Sequence, residues 1–133
     1  MKTDAQEFKE KKKSFKRFLK SFKFAYDGIR YAFYNEQNII VMLVMGIIAM
    51  IVGLVLHISY MERLIIVLMI GVILSLEMIN TAIEAVTNLA SEGKINKQAK
   101  VAKDCASAAL AIMCIFSVIV GCMIFIPKII ELF

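Results

Sequence analysis

Apolar residues along this chain gather into three long runs separated by polar stretches. The first, Asn38 to Ile58, reads "NIIVMLVMGIIAMIVGLVLHI" and carries no formal charge. The second begins at Leu64 and ends near Val86, and the third, "ASAALAIMCIFSVIVGCMIFI", runs from Ala106 to Ile126. A bilayer core of about 30 Å is crossed by roughly 20 helical residues, so each run is long enough to span it. Transmembrane helices are therefore expected over residues 38–58, 64–86 and 106–126, with Pro127 closing the third.

The segment ahead of them is patterned differently. In "SFKRFLKSFKFAYDGIRYAFYNE", Phe15, Phe18, Leu19, Phe22, Tyr26, Ile29 and Phe33 recur at helical spacing, and Lys16, Arg17, Lys20, Lys23, Asp27 and Arg30 fall largely off that stripe. A basic helix with an aromatic face lies in the membrane interface and is drawn to anionic lipids. A surface helix is thus expected over residues 14–34, preceded by a solvated basic tail over 1–13. The run "KEKKKSFKRFLK" makes a poor nucleic-acid site, because Phe and Leu interrupt it at helical spacing and a membrane span follows.

Composition fits the same picture. The 133 residues are 60% hydrophobic with a single proline, which places the chain in the membrane class as one small all-α domain over 1–133. The first 35 residues are charged and aromatic, unlike the apolar core of a cleavable signal peptide, so none is expected. Ten of the 16 Lys and Arg residues precede the first run, four (Lys94, Lys97, Lys100, Lys103) lie between the second and third, and Arg63 and Lys128 flank the other side. The positive-inside rule then makes the N-terminus and the 87–105 loop cytoplasmic and the C-terminus external. Cys105, Cys114 and Cys122 lack the paired spacing of a metal site and read as small packing residues. His57, alone at the outer end of the first run, reads as an interfacial residue.

The second run carries the candidate chemistry. Within "VILSLEMINTAIEAVTN", spacings of three and four put Glu77, Asn80 and Glu84 on one helix face. At about 1.5 Å per residue, Glu77 lies roughly 20 Å inward from Leu64, still within hydrocarbon, and Glu84 reaches the cytoplasmic interface. A charged side chain near the centre of a membrane helix costs around 2.5 to 3.5 kcal/mol by insertion scales and by default marks function. Pairing with a cation of a neighbouring helix is the structural alternative, but no Lys or Arg lies inside the other two runs. Glu36, in "YNEQN", is expected at the depth of Glu84, and two carboxylates without nearby thiol or imidazole make a hard oxygen site suited to Mg²⁺ and the phosphates it accompanies. A desolvated Glu77, about 10 Å deeper, is then placed to act as general base toward a lipid hydroxyl. The Lys-bearing loop contains no Walker loop or kinase signature.

The segments "EMINTAIEAV" and "AKVAKDCASAA", with "GIRYAFYNE" upstream, resemble the small prokaryotic diacylglycerol kinase family, which includes the undecaprenol kinases of Gram-positive bacteria. The resemblance covers nearly all of residues 14–127. It implies a homotrimer of three-span subunits in the bacterial cell membrane, each with an amphipathic surface helix, and active sites between neighbouring subunits. It implies Glu77 as catalytic base, Asn80 as support for the reacting groups, and Glu36 and Glu84 as holders of Mg²⁺ and ATP. Arg17, Phe24, Glu92, Gly93, Lys94, Lys103 and Asp104 fall at nucleotide-contacting positions, and Arg17, Arg30 and Glu77 at lipid-contacting ones. Three departures from the family pattern touch the nucleotide contacts: Phe24 for Tyr, Asn88 for Asp, and Gly93-Lys94 for Tyr-His. The spacing from Glu92 to Lys103 and the ending "IFIPKIIELF" look more like the Gram-positive members. The resemblance therefore implies an ATP-dependent kinase for undecaprenol, with diacylglycerol as the alternative lipid. A non-enzymatic membrane protein is the rival from another class, and it gives no reason to align Glu77, Asn80 and Glu84 with Glu36.

Overall fold

The computed structural model of the protein describes residues 4–92 and 94–132, with side chains from residue 15 onward. Four helices follow one another: α1 (Asp4–Asn35), α2 (Gln37–Val55), α3 (Tyr60–Ser91) and α4 (Lys97–Ile130). Among the described residues there is no strand. The chain divides into two compact units, the first ending at Asn35 and the second starting at Glu36.

The first unit is α1. Helix extends back to Asp4, ten residues before the expected start, because the Gly- and Pro-free run of Glu, Gln, Ala and Lys is made of good helix formers. Phe18 and Phe22 stack edge to face with ring centroids 5.1 Å apart. Lys20 lies over Phe24 at 5.7 Å, and Arg30 over Tyr34 at 5.6 Å. These pairs join residues four apart, one turn along the same surface.

In the second unit, α2, α3 and α4 are each long and apolar enough to cross a membrane. Helix α2 ends at Val55, three residues short of the expected end at Ile58, for a reason the hydropathy pattern does not carry. His57 takes a left-handed backbone (φ 52°), its N–H donates to the Leu54 carbonyl at 3.2 Å, and the Ile58 N–H donates to the Gly53 carbonyl at 3.0 Å. That pair of bonds is a Schellman closure, with His57 where glycine is usual. Helix α3 restarts immediately. Ser59 accepts from the Glu62 N–H at 3.3 Å, and Glu62 accepts from the Ser59 N–H at 2.6 Å, forming a reciprocal capping box.

The turn between α3 and α4 is shorter than the expected 87–105 loop. Helix α3 continues to Ser91, Glu92 caps it in a left-handed conformation (φ 48°), and α4 starts at Lys97. The Asn96 side chain caps α4 by accepting from the Gln98 and Ala99 N–H groups at 2.9 and 3.3 Å. Lys97, Lys100, Lys103 and Asp104 are therefore helical, at fixed positions on one rod. At the far end, Pro127 does not close α4, which runs on to Ile130. Proline lacks only its own N–H, and the Glu131 N–H still bonds the Pro127 carbonyl at 3.0 Å.

Packing is closest where α2, α3 and α4 meet near the α2–α3 turn. Ile58, Ile66 and Ile124 are buried there against Ala49, Met50, Leu56, Ile70, Val120 and Phe125. In lipid such burial gains close van der Waals contact rather than escape from water, so small residues that let backbones approach matter most. A Cβ on Gly46 would stand 2.9, 3.0 and 3.2 Å from three side-chain atoms of Ile70, which locks α2 against α3 in antiparallel register. Large apolar side chains such as Leu68, Ile119 and Met123 stay exposed on the outer faces of these helices, as a lipid-facing surface requires.

Candidate functional site

The polar residues of the second run are brought together with groups from both neighbouring helices. Glu77 is the most deeply buried large side chain in the chain's described part, 1% exposed. Its helix supplies no partner for it: Thr81, also buried, spends its hydroxyl on the Glu77 carbonyl at 3.0 Å. The Glu77 Oε2 atom is buried with no hydrogen-bond partner. The start of α2 brings Asn38 and Glu36 within electrostatic reach of the Glu77 carboxyl. A bare buried carboxyl oxygen costs on the order of 1–3 kcal/mol, a debt that a polar group entering from outside cancels.

The close approach of Gly46 to Ile70 seats α2 antiparallel on α3, which brings the start of α2, with Glu36 and Asn38, to the part of α3 that carries Glu77.

Helix α4 meets the same face. Lys103 Nζ donates to Glu84 Oε1 at 3.1 Å and to Asn88 Oδ1 at 2.7 Å. One turn below, Ser107 Oγ approaches Asn80 Oδ1 to 3.5 Å. Thr87, buried, donates to the carbonyls of Ile83 and Glu84 at 2.9 Å each, stiffening the α3 turn that carries Glu84. Asn88, one of the departures noted in the sequence, thus accepts from Lys103 as a neutral group.

The remaining expected residues are spread more widely. Glu92 and Lys94 pair at 3.6 Å with side chains 78% and 82% exposed, and Asp104 is exposed on α4. Gly93 lies outside the described residues. Arg17, Phe24 and Arg30 lie exposed on α1. Asn38, Ser107, Thr81 and Thr87 take part in the cluster without having been singled out from sequence. Asn38 sits in the polar "YNEQN" start of α2, and only the α2–α3 register shows that it comes within reach of Glu77.

Beyond Glu77 an apolar cavity of about 350 Å³ runs between α2, α3 and α4. Val41 and Ile73 line it about one turn beyond Asn38 and Glu77, and Gly46, Ala49, Gly121 and Phe125 line it farther on.

Comparison with known proteins places this arrangement. The prokaryotic diacylglycerol kinase family matches residues 23–125. The chain belongs to that family. Undecaprenol kinase of Bacillus subtilis (strain 168) is 37% identical over 120 residues, covering 90% of this chain and 97% of that protein. Diacylglycerol kinase of Synechocystis sp. is 32% identical over 114 residues, covering 86% of this chain, and the chain spans 65% of that relative's length. The family match takes in Phe24, Arg30, Glu36, Glu77, Asn80, Glu84 and Lys103 and begins after Arg17. Family membership and three span-capable helices make this a multi-pass membrane protein.

Proposed function

We propose that this protein is an ATP-dependent lipid kinase that phosphorylates the hydroxyl of undecaprenol. One observation carries the reading: a fully buried Glu77 presents an unpartnered Oε2 on the helix face that also bears Asn80 and Glu84. Family membership and the similarity to an undecaprenol kinase along almost its whole length support it.

Glu77 takes the proton of the lipid hydroxyl as its oxygen attacks the terminal phosphorus of ATP, and the bond to the ADP oxygen breaks. Such transfer depends chiefly on positioning and on balancing charge. Lys103 is placed to follow the phosphate charge from its seat between Glu84 and Asn88, and Asn80 supports the reacting groups. Arg17, Phe24, Glu92, Gly93, Lys94 and Asp104 complete the nucleotide contacts in this reading, and Arg17 and Arg30 meet the lipid headgroup region. The apolar cavity beyond Glu77 gives the lipid chain room to descend.

Mg²⁺ fits the donors present. No group of three or more His, Cys, Asp or Glu side chains gathers among the described residues. Mg²⁺ is usually held by one or two carboxylates together with substrate phosphates and water, which Glu36 and Glu84 supply. Bound there, it would neutralise charge on the phosphates. Because one chain leaves Glu84 half exposed and Asn38 open, we place the complete site between neighbouring subunits of a homotrimer, with α1 as the amphipathic surface helix. The N-terminus and site face the cytoplasm of a bacterial cell and the C-terminus lies outside, following the Lys and Arg distribution.

The test is phosphate transfer from labelled ATP by purified protein in micelles containing undecaprenol and diacylglycerol in competition. Preferential labelling of undecaprenol is expected. Preferential labelling of diacylglycerol would move the protein to phospholipid turnover, and labelling of neither by folded protein would overturn the kinase reading.

A further inference from the structure

The cavity between α2, α3 and α4 begins about one turn beyond Glu77, where Val41 and Ile73 line it, and runs along Cys114, Ser117 and Gly121 of α4 to Phe125. Spacings of three and four put those α4 residues on one helix face. The contacts of Ser107 with Asn80 and of Lys103 with Glu84 seat α4 antiparallel on α3, so this face leads away from Glu77. Cys114, Ser117 and Gly121 are small, and the large side chain, Phe125, stands at the far end.

Small residues in a membrane bundle ordinarily let helices approach one another. Gly46 and Gly53 do so here, since a Cβ on the first would stand 2.9 Å from Ile70 and a Cβ on the second 2.5 Å from Ile58. Gly121 does not. A Cβ there would meet no atom nearer than one of Phe125 at 4.0 Å, and Phe125 is itself part of the cavity wall. Glycine inside a helix is less favourable than any residue but proline, so a glycine in the interior of α4 that packs closely against nothing calls for another use. Here its lack of a side chain leaves the cavity open.

The cavity's shape limits what enters. From Val41 to Ala49 the α2 wall extends about 12 Å, and about 350 Å³ over that length makes a channel about 6 Å across. Carbon atoms of separate chains touch at about 3.5–4.0 Å, so this width takes one methyl-branched chain and not two abreast. We infer that the cavity seats the isoprene units next to the polyprenol hydroxyl, and that Gly121 sets the lipid preference by keeping their path open. This rests on the reading of the protein as an undecaprenol kinase with Glu77 as base. A polyprenol leaves its hydroxyl as a single chain, which follows the cavity in file. Diacylglycerol divides into two chains at the glycerol, beside its hydroxyl, and only one of them can follow. A chain seated there restores the van der Waals contacts that the walls of an empty cavity lack.

The test measures the KM values for undecaprenol, diacylglycerol and ATP, with assembly in micelles, for full-length wild type, Gly121→Ala, Gly121→Leu and Ser117→Leu. Ser117→Leu narrows the same wall about one turn nearer Glu77. Both leucine variants are expected to raise the undecaprenol KM about tenfold or more, as added bulk in an apolar pocket does, with the ATP KM within about threefold of wild type and the diacylglycerol KM moved much less. Gly121→Ala should fall between them and wild type. An unchanged undecaprenol KM in assembled Gly121→Leu and Ser117→Leu would overturn the inference, leave the undecaprenol reading in place and give the cavity to a tail of the surrounding bilayer lipid. Equal weakening toward both lipids would overturn the role of Gly121 in choosing between them. If neither leucine variant assembles, Gly121→Ala decides: a wild-type undecaprenol KM overturns the inference, and a rise confined to undecaprenol supports it. Wild-type protein that labels diacylglycerol in preference to undecaprenol would overturn the underlying reading and this inference with it.

Discussion

Lys103 of α4 reaches across to Glu84 of α3 with a nitrogen–oxygen distance of 3.1 Å, and Asn88 accepts from the same ammonium at 2.7 Å. Both ends of the ion pair are partly open, 35% and 48% exposed, and such pairs contribute at most about 1 kcal/mol. The pair therefore explains little of the fold's stability. Lys103→Ala is expected to leave the unfolding midpoint nearly unchanged, while the KM for ATP rises about tenfold or more and the KM for lipid moves much less. Equal weakening toward both substrates would remove Lys103 from the nucleotide site.

Glu84 is the proposed partner of Mg²⁺ once the nucleotide arrives. Glu84→Gln keeps the size of the side chain but loses the charge that a hard cation seeks. Titration of activity against Mg²⁺ at fixed ATP should show a higher requirement in this variant, with the lipid dependence little changed. An unaltered Mg²⁺ requirement would count against the assignment.

The left-handed His57 gives a prediction about stability alone. A side chain in this conformation costs roughly 1 kcal/mol relative to glycine, and the Schellman bonds hold it there. His57→Gly should raise stability to denaturation in detergent by about that amount and leave catalysis untouched. Gly46 gives the opposite case. A Cβ there meets three atoms of the β-branched Ile70, which has little freedom to turn aside, so Gly46→Val is expected to cost about 1–3 kcal/mol. Thermal unfolding of the two variants beside wild type checks both signs.

The start of α3 titrates. The Ser59 hydroxyl and Ser59 N–H hold the Glu62 carboxyl below the usual carboxylate range, with a smaller assist from the charge of Lys128. A carboxyl lowered by folding contributes its stability above its unfolded-state pKa and loses it as pH falls through the folded one. The stability difference between wild type and Glu62→Gln should therefore be constant near neutrality and shrink as the solution is acidified below the ordinary glutamate range. A difference that persists unchanged in acid would show that the capping box works without the charge.

The three apolar helices were legible in the sequence because about 20 apolar residues in a row have few other uses. Their ends were less so. His57 stands where glycine normally announces a helix end, so α2 read through to Ile58. Beyond Val86, polar and basic residues continue α3 to Ser91 and open α4 at Lys97, because helical hydrogen bonding does not stop where the apolar pattern stops. Pro127 read as a stop, yet a proline in the last turns removes one donor and leaves the helix standing.

The candidate site divides in the same way. A charge inside an apolar run drew notice to Glu77, Asn80 and Glu84, and their spacing put them on one face. Which groups oppose them depends on how α2 and α4 are seated on α3. Asn38, Ser107 and the Asn88–Lys103 bond are products of the same packing. No periodicity within one helix reports them.

Transfer of the lipid hydroxyl's proton to Glu77 is tested most simply by the rate of phosphate transfer to undecaprenol by Glu77→Gln. The protein should fold and assemble as wild type does, since glutamine keeps the shape of the side chain. Its kcat should fall by at least about 100-fold, the loss expected when a general base is removed. Transfer at close to the wild-type rate by an assembled Glu77→Gln protein would rule out Glu77 as the base and return it to a packing role.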